Sequence, residues 1–186
     1  MTNEFLTDGK VVLRSFQRED LSTYRRWWDN PKVTEFMEMG WKPADDTILE
    51  ATYNEATQTN NNIVMVIVDP ETEKPIGTTG LYLINWPGRR AQFRILIGEH
   101  DYFGRGFGTA AARLIVKYGF ERINLETIYL GANEENVRAI RSYEKAGFIH
   151  EGVQRNFVYN NGRYYNSVMM SILRGDYDEL KSKGAY

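Results

Sequence analysis

Two short stretches of the chain carry residue types and spacings that could do chemistry. In the first, Asp101-Tyr102-Phe103-Gly104-Arg105-Gly106-Phe107-Gly108-Thr109-Ala110-Ala111-Ala112, glycine recurs at every second position directly after the apolar run Phe93-Arg94-Ile95-Leu96-Ile97. Glycines so spaced let the backbone curl until successive N–H groups face one concavity that side chains would otherwise block. The helix that follows adds unpaired N–H groups and the positive end of its dipole. Strand, curled loop and helix start together suit an anion, most often a phosphate, and Arg105 is placed to add a charge-assisted bond. Neither familiar phosphate loop fits: no Gly-Lys-Ser/Thr ending follows, and the Gly104/Gly106/Gly108 spacing is not G-x-G-x-x-G. The plainer alternative is a helix entered through a flexible turn.

The second stretch is Asn136-Val137-Arg138-Ala139-Ile140-Arg141-Ser142-Tyr143-Glu144-Lys145-Ala146-Gly147-Phe148. Asn136, Ala139 and Tyr143 stand at i, i+3 and i+7, on one stripe of a helix about 10 Å long. An amide, a small residue and a phenol in line would suit a long thin ligand lying along the helix. The alternative is a polar helix start followed by a core tyrosine.

The elements that must position these residues can be read in order. Lys10–Phe16 alternates like a half-buried strand, and Glu19–Trp28 has helical spacing, ended by Asn30-Pro31. A short helix is expected within Lys32–Gly40, and a longer one from Pro43-Ala44-Asp45-Asp46 to about Gln58. Ile63–Val68 and Ile76–Ile84 read as a hairpin, with Ala91–Ile97 as a third adjacent strand. The helix opened by the glycine loop has Phe107, Ala111, Leu114, Ile115 and Tyr118 on one face. Ile123–Leu130 is expected as the next strand, and Glu135–Ala146 as a helix stopped by Gly147. Phe148–Val158 and Arg163–Leu173 are the last strands, joined by the turn residues Asn160-Asn161-Gly162. The order predicts one α/β domain over 1–186, a mixed sheet with helices on both faces.

Composition narrows the function. The 186 residues are 42% apolar and 13% aromatic, enough for one domain with a full core. A net charge of −2 gives no broad basic surface, which argues against nucleic acid or an anionic membrane as partner. No apolar run approaches a membrane span, and Met1-Thr2-Asn3-Glu4 does not start a secretory leader. There is no cysteine, so disulfides, thiolate metal sites and a cysteine nucleophile are excluded, and two histidines are too few for a His-based metal cluster. A cytoplasmic, metal-free protein is expected, and a homo-oligomer is admitted.

The strand Arg94–Ile97, the loop Gly104-Arg105-Gly106-Phe107-Gly108-Thr109 and the run Asn136-x-x-Ala139-x-x-x-Tyr143-x-x-x-Gly147-Phe148 together resemble the GNAT superfamily of acetyl-CoA-dependent N-acetyltransferases. The resemblance spans Lys10 to Leu173. Within the superfamily the chain is similar to the branch of spermidine acetyltransferases and ribosomal-protein Nα-acetyltransferases, through Arg90-Ala91-Gln92-Phe93, Tyr118-Gly119-Phe120, Glu151-Gly152 and the Asn-Gly hairpin with Tyr164. It implies a splayed sheet of about seven strands. Backbone N–H groups of Phe103 to Thr109 would bind the CoA diphosphate, and Ile95, Leu96 and Ile97 would bond the pantetheine arm where their strand parts from Ile123–Leu130. Asn136 would also bond the arm, Ala139 and Lys145 would line it, and Tyr143 would stand by the sulfur as general acid. The chain departs from the family pattern at Phe103, where Gln or Arg is usual.

These roles make chemical sense. An alkylammonium of pKa near 10 is about one part in a thousand neutral at pH 7, so something must remove its proton: a carboxylate, or a chain of waters. A departing thiolate needs a nearby donor, which a phenol supplies. Some relatives carry a glutamate where this chain has Gln92, which closes that route to a base. Glu99 is then either the base or a solvated loop acid. Glu35, Glu38, Asp45 and Asp46 either attract a cationic amine or form a wet helix face, and Tyr82, with Trp41 and Trp86, either walls the acceptor pocket or packs. The expected function is direct acetyl transfer to a primary amine, best a small cationic one such as a polyamine. A peptide α-amine, an amino sugar, or an acyl-CoA-binding module without turnover are the alternatives.

Overall fold

The computed structural model describes residues 4–186; Met1 to Asn3, part of the stretch read for a leader, lie outside it. Five strands come first or follow the first three helices: β1 (Leu6–Thr7), β2 (Val12–Ser15), β3 (Ile63–Asp69), β4 (Lys74–Asn85) and β5 (Arg90–Ile97). Between β2 and β3 run α1 (Leu21–Trp28), α2 (Pro31–Thr34) and α3 (Asp46–Thr57). After β5 come α4 (Phe107–Glu121), β6 (Thr127–Asn133), α5 (Val137–Lys145), β7 (Ile149–Asn160), β8 (Arg163–Leu173) and α6 (Arg174–Ser182).

All eight strands form one sheet in the order β1-β2-β3-β4-β5-β6-β8-β7, and only β5 and β6 run parallel. The β-branched run of β3 is buried along most of its length because both of its faces are covered. On one face α4 lies against the sheet through Ala111, Ala112, Ile115 and Val116, all fully buried, and Phe120 stacks on Tyr177 of α6 at 5.0 Å. On the other face Phe16, Val66 and Val68 meet Tyr24 of α1 and Tyr53 of α3, and Trp27 packs with Val33 and Leu96. A buried ion pair pins the start of α1 to β2: Arg14 Nη1 and Nη2 donate to Asp20 at 2.8 and 2.7 Å, and the Gln17 N–H donates to the same carboxylate.

Several elements differ from the sequence reading for identifiable reasons. The strand expected over Ile123–Leu130 begins at Thr127 and runs on to Asn133. Asn124 takes a left-handed φ of 57°, which turns the chain, and Leu125 fills the core there as a loop residue. The helix expected from Pro43 starts at Asp46, because Asp45 caps it by accepting from the Ile48 N–H. Pro31 ends α1 and also opens α2, where Asn30 accepts from the Lys32 N–H and proline stands at the first helical position. Two elements were missed, the two-residue β1 and α6, whose Tyr177 and Leu180 dock on the core after Leu173 ends the sheet.

Candidate active site

The central feature is a parting of strands. β5 and β6 pair only at Arg90–Thr127, Ala91–Ile128 and Gln92–Tyr129. Beyond Gln92, β5 stays with β4 as far as Ile97 while β6 continues alongside β8 as far as Asn133. Among the described residues no strand pairs with the β6-facing edge of β5 from Phe93 to Ile97. A cleft of about 420 Å³ opens there, with Ile95, Leu96 and Ile97 on one wall.

The glycine loop makes one end of this cleft. Gly104 and Gly106 take φ of 72° and 86°, a region where a side chain is strained, and these two turns curl the backbone. Gly106 caps α4 without any side-chain bond, and the first helical bond runs from Ala110 N–H to Gly106 O at 3.0 Å. The N–H groups of Gly104 to Thr109 therefore find no acceptor among the described residues. Phe103, expected to join this series, is already used: its N–H donates to His100 O at 3.0 Å. Gly108 lies in the first turn of α4, and a Cβ there would stand 3.8 Å from Ile97 and from Ser142, inside the cleft.

The loop is held from below. Tyr102 Oη donates to Asp69 Oδ2 at 2.9 Å, and its ring meets Phe107 edge-on at 5.1 Å. Asp69 also accepts from the Glu71 N–H and Thr72 Oγ1. Arg105, expected at the anion, lies instead over the Tyr102 and Phe107 rings at 5.1 and 5.4 Å, and its Nη1 donates to Asp101 O. Phe107 is buried, with its ring packed beneath the loop against Tyr102.

Helix α5 makes the facing wall: Asn136, Ala139 and Tyr143, the stripe read from the spacing, line the cleft, and so does Lys145, which the resemblance named. Asn136 caps α5 through Oδ1, which accepts from the Ala139 N–H at 3.2 Å, and this leaves its Nδ2 free to donate. Tyr143 is half-buried, with Phe93 and Phe148 edge-on at 5.9 and 6.1 Å. Its hydroxyl has no hydrogen-bond partner among the described residues, and burial pushes its pKa up to about 12. Thr109 of α4 and Ser142 of α5 share a hydroxyl bond of 2.7 Å that ties loop and helix together.

Charge is sorted across the site. Lys32, Arg138, Arg141 and Lys145 line the cleft, and no acidic side chain does. Among the described residues none of these four has a carboxylate partner within 4 Å, whereas thirteen ion pairs engage other cations of the fold. Sequence reasoning missed Lys32, Arg138 and Arg141; the last two stand with Lys145 at i, i+3 and i+7, a second stripe of α5 distinct from that of Asn136, Ala139 and Tyr143.

The acidic candidates stand elsewhere. Glu99 is neither a free base nor a solvated acid: its side chain is 18% exposed and accepts from Arg26, Trp27 Nε1 and Lys74 at 2.8, 2.9 and 2.9 Å. Burial works to raise its pKa, but the bonds from Lys74 and Trp27 and the Arg26 charge bring it below the usual carboxylate range. Glu35 and Trp41 line a separate hollow between α2 and the β7–β8 turn, while exposed Glu38 lines neither cavity. Asp45 is spent on its cap and Lys42, and Asp46 on Arg25. Tyr82 and Gln92 face each other across β4 and β5 beside Arg94, which lies 4.6 Å over the Tyr82 ring and donates to Gln92 at 2.9 Å. This is the sheet face of Leu96 and α1, opposite the face of Phe93 and Tyr143. Among the described residues no group of three or more acidic or histidine side chains converges to hold a metal, and no helix is long and apolar enough to cross a membrane.

A parted parallel pair, an uncapped glycine cradle and an acid-free basic wall define an acyl-CoA site. The free N–H groups fit a diphosphate, and the unpaired edge of β5 with Asn136 Nδ2 fits the amides of the pantetheine arm. Residues 10–149 match the model of the acetyltransferase (GNAT) domain. The chain belongs to this family and is an acetyl-CoA-dependent N-acetyltransferase. It is 33% identical over 177 residues to the spermidine N(1)-acetyltransferase of Escherichia coli (strain K12), covering 90% of this chain and 88% of that one. Its fold is similar to the crystal structure of spermidine N-acetyltransferase from Vibrio cholerae in complex with CoA and spermine, with a TM-score of 0.82, 30% identity and coverage of 91% and 99%. A putative ribosomal N-acetyltransferase of Bacillus subtilis (strain 168) is 29% identical over 105 residues, 56% of this chain and 57% of that one.

Proposed function

We propose that the acceptor is the primary amine of a polyamine and that the acetyl group passes to it directly, with no acyl-enzyme. The observation that carries this reading is the cleft between β5 and β6 with the Tyr143 phenol in its wall. Acetyl-CoA supplies the activated thioester. The N–H groups of Gly104 to Thr109 hold the diphosphate end, Asn136 Nδ2 and the free edge of β5 orient the arm, and Tyr143 Oη keeps a proton to give to the leaving sulfur. Since the cleft lining holds no carboxylate, the ammonium proton leaves through water. The choice of polyamine is supported by relatives of about one-third identity that cover nine-tenths of the chain.

The test is a panel of spermidine, spermine, N-terminal peptides and amino sugars offered with acetyl-CoA, with released thiol as the readout. The chain has no cysteine of its own to obscure it. Turnover with polyamines alone is expected. Turnover with peptides alone would favour the Nα-acetyltransferase reading that the ribosomal relative suggests, and CoA binding without turnover on any amine would leave a binding module.

A further inference from the structure

Arg138 differs from the other cations of the cleft in having a fixed seat. Its guanidinium carbon stands 4.1 Å from the centroid of the Phe103 ring, and both residues line the cleft. Phe103 comes immediately before Gly104, the first of the free N–H donors, and Arg138 is in the first turn of α5. The contact therefore reaches from one wall of the cleft to the other, beside the anion cradle. A guanidinium lying on a ring keeps its N–H donors in its own plane, directed outward, and no carboxylate within 4 Å uses them. A planar fork of unused donors next to a row of unused backbone donors suits a phosphate group. The Phe103 ring also contacts His100, whose ring centroid is 5.1 Å away.

We propose that Arg138 is a phosphate-binding residue for acetyl-CoA and that Phe103 is the positioning residue that holds its guanidinium at the loop. Position 103, which offers neither a free N–H nor a polar side chain, acts through the arginine stacked upon it. The inference rests on the acetyl-CoA site described above and adds two residues to it.

The test is calorimetric binding of CoA, and of pantetheine as a phosphate-free probe, to the full chain and five variants. Arg138→Ala is expected to weaken CoA binding roughly ten- to hundredfold, the worth of a charge-assisted bond, and to leave pantetheine binding unchanged. Phe103→Ala should weaken CoA binding roughly two- to fivefold, and Phe103→Trp, which keeps a ring face, should retain it. In the Arg138→Ala background Phe103→Ala should cost nothing further, whereas Phe103→Arg should restore part of the lost affinity by putting the cation on the loop itself. Both side chains are outside the core, so melting temperatures report that the variants fold. CoA binding by Arg138→Ala that equals or exceeds that of the parent chain, or an equal loss for pantetheine, would overturn the proposal alone. Failure of the parent chain to bind CoA would overturn the site as a whole.

Discussion

Tyr143 is a phenol in a cleft wall with two aromatic ring contacts and no hydrogen-bond partner for its hydroxyl among the described residues, so the hydroxyl has little part in folding and is open to the role proposed for it at the leaving sulfur. Tyr143→Phe should keep the packing on Phe93 and Phe148, leave the melting temperature unchanged and lower kcat about 10²- to 10⁴-fold, with CoA affinity intact by calorimetry. An unchanged kcat would remove the phenol from the mechanism. Its raised pKa, about 12, has two consequences with the same sign. The proton is present throughout the neutral range, so kcat/KM should rise with pH toward the amine pKa near 10 with no descending limb from the enzyme below about pH 11. A tyrosine harder to ionise when folded stabilises the fold fully below pH 10, and that contribution is lost as pH climbs through 12. A descending limb near pH 9 would show that another group supplies the proton.

Among the elements, β5 has the most consequential position, because its two ends are held differently. At the far end Glu99 ties it to α1 and β4 through Arg26, Trp27 and Lys74. Its depressed pKa means a stabilisation present above the ordinary carboxylate range and lost as pH falls below it. Glu99→Gln should therefore lower stability by about 1–3 kcal/mol at pH 7 in denaturant titrations, with the difference vanishing in acid. The start of α1 rests on a buried pair, and Asp20→Ala, which strands Arg14, should cost about 3–5 kcal/mol. At the loop, Gly108→Val would place its methyl groups between Ile97 and Ser142. Valine is a somewhat better helix former than glycine and the added Cβ meets only ordinary contacts, so stability should change by less than about 1 kcal/mol, whereas CoA binding should disappear. Normal CoA binding by that variant would contradict the position of the arm.

At the scale of the molecule, a chain of net charge −2 presents a cleft whose ionisable lining is entirely cationic. The overall charge says nothing of this, because the acids all stand away from the cleft lining, several of them in ion pairs. A highly anionic ligand is then drawn in by a local field, which salt screens over about 8 Å at physiological strength. CoA affinity should fall severalfold between low and high ionic strength, and pantetheine affinity should stay flat. A salt-independent CoA affinity would mean that the backbone cradle alone carries the recognition.

What the sequence determined by itself lies in the local patterns. Alternating glycines, the Asn136/Ala139/Tyr143 stripe and the β-branched run of β3 depend on backbone sterics and helical period, which act over a few residues. Twelve of the residues expected at the cofactor or the sulfur line one cleft as a result, from Ile95 through Lys145. The tertiary structure decided what depends on neighbours distant in the chain. Arg105 and Arg138 are both arginines beside the right motif, yet one turns onto Tyr102 and Phe107 while the other crosses to Phe103. Glu99 is removed as a base by three donors from α1 and β4, and strand β6 starts late because Leu125 is needed in the core. Side-chain direction and charge pairing are settled by packing between elements, and no spacing along one element encodes them.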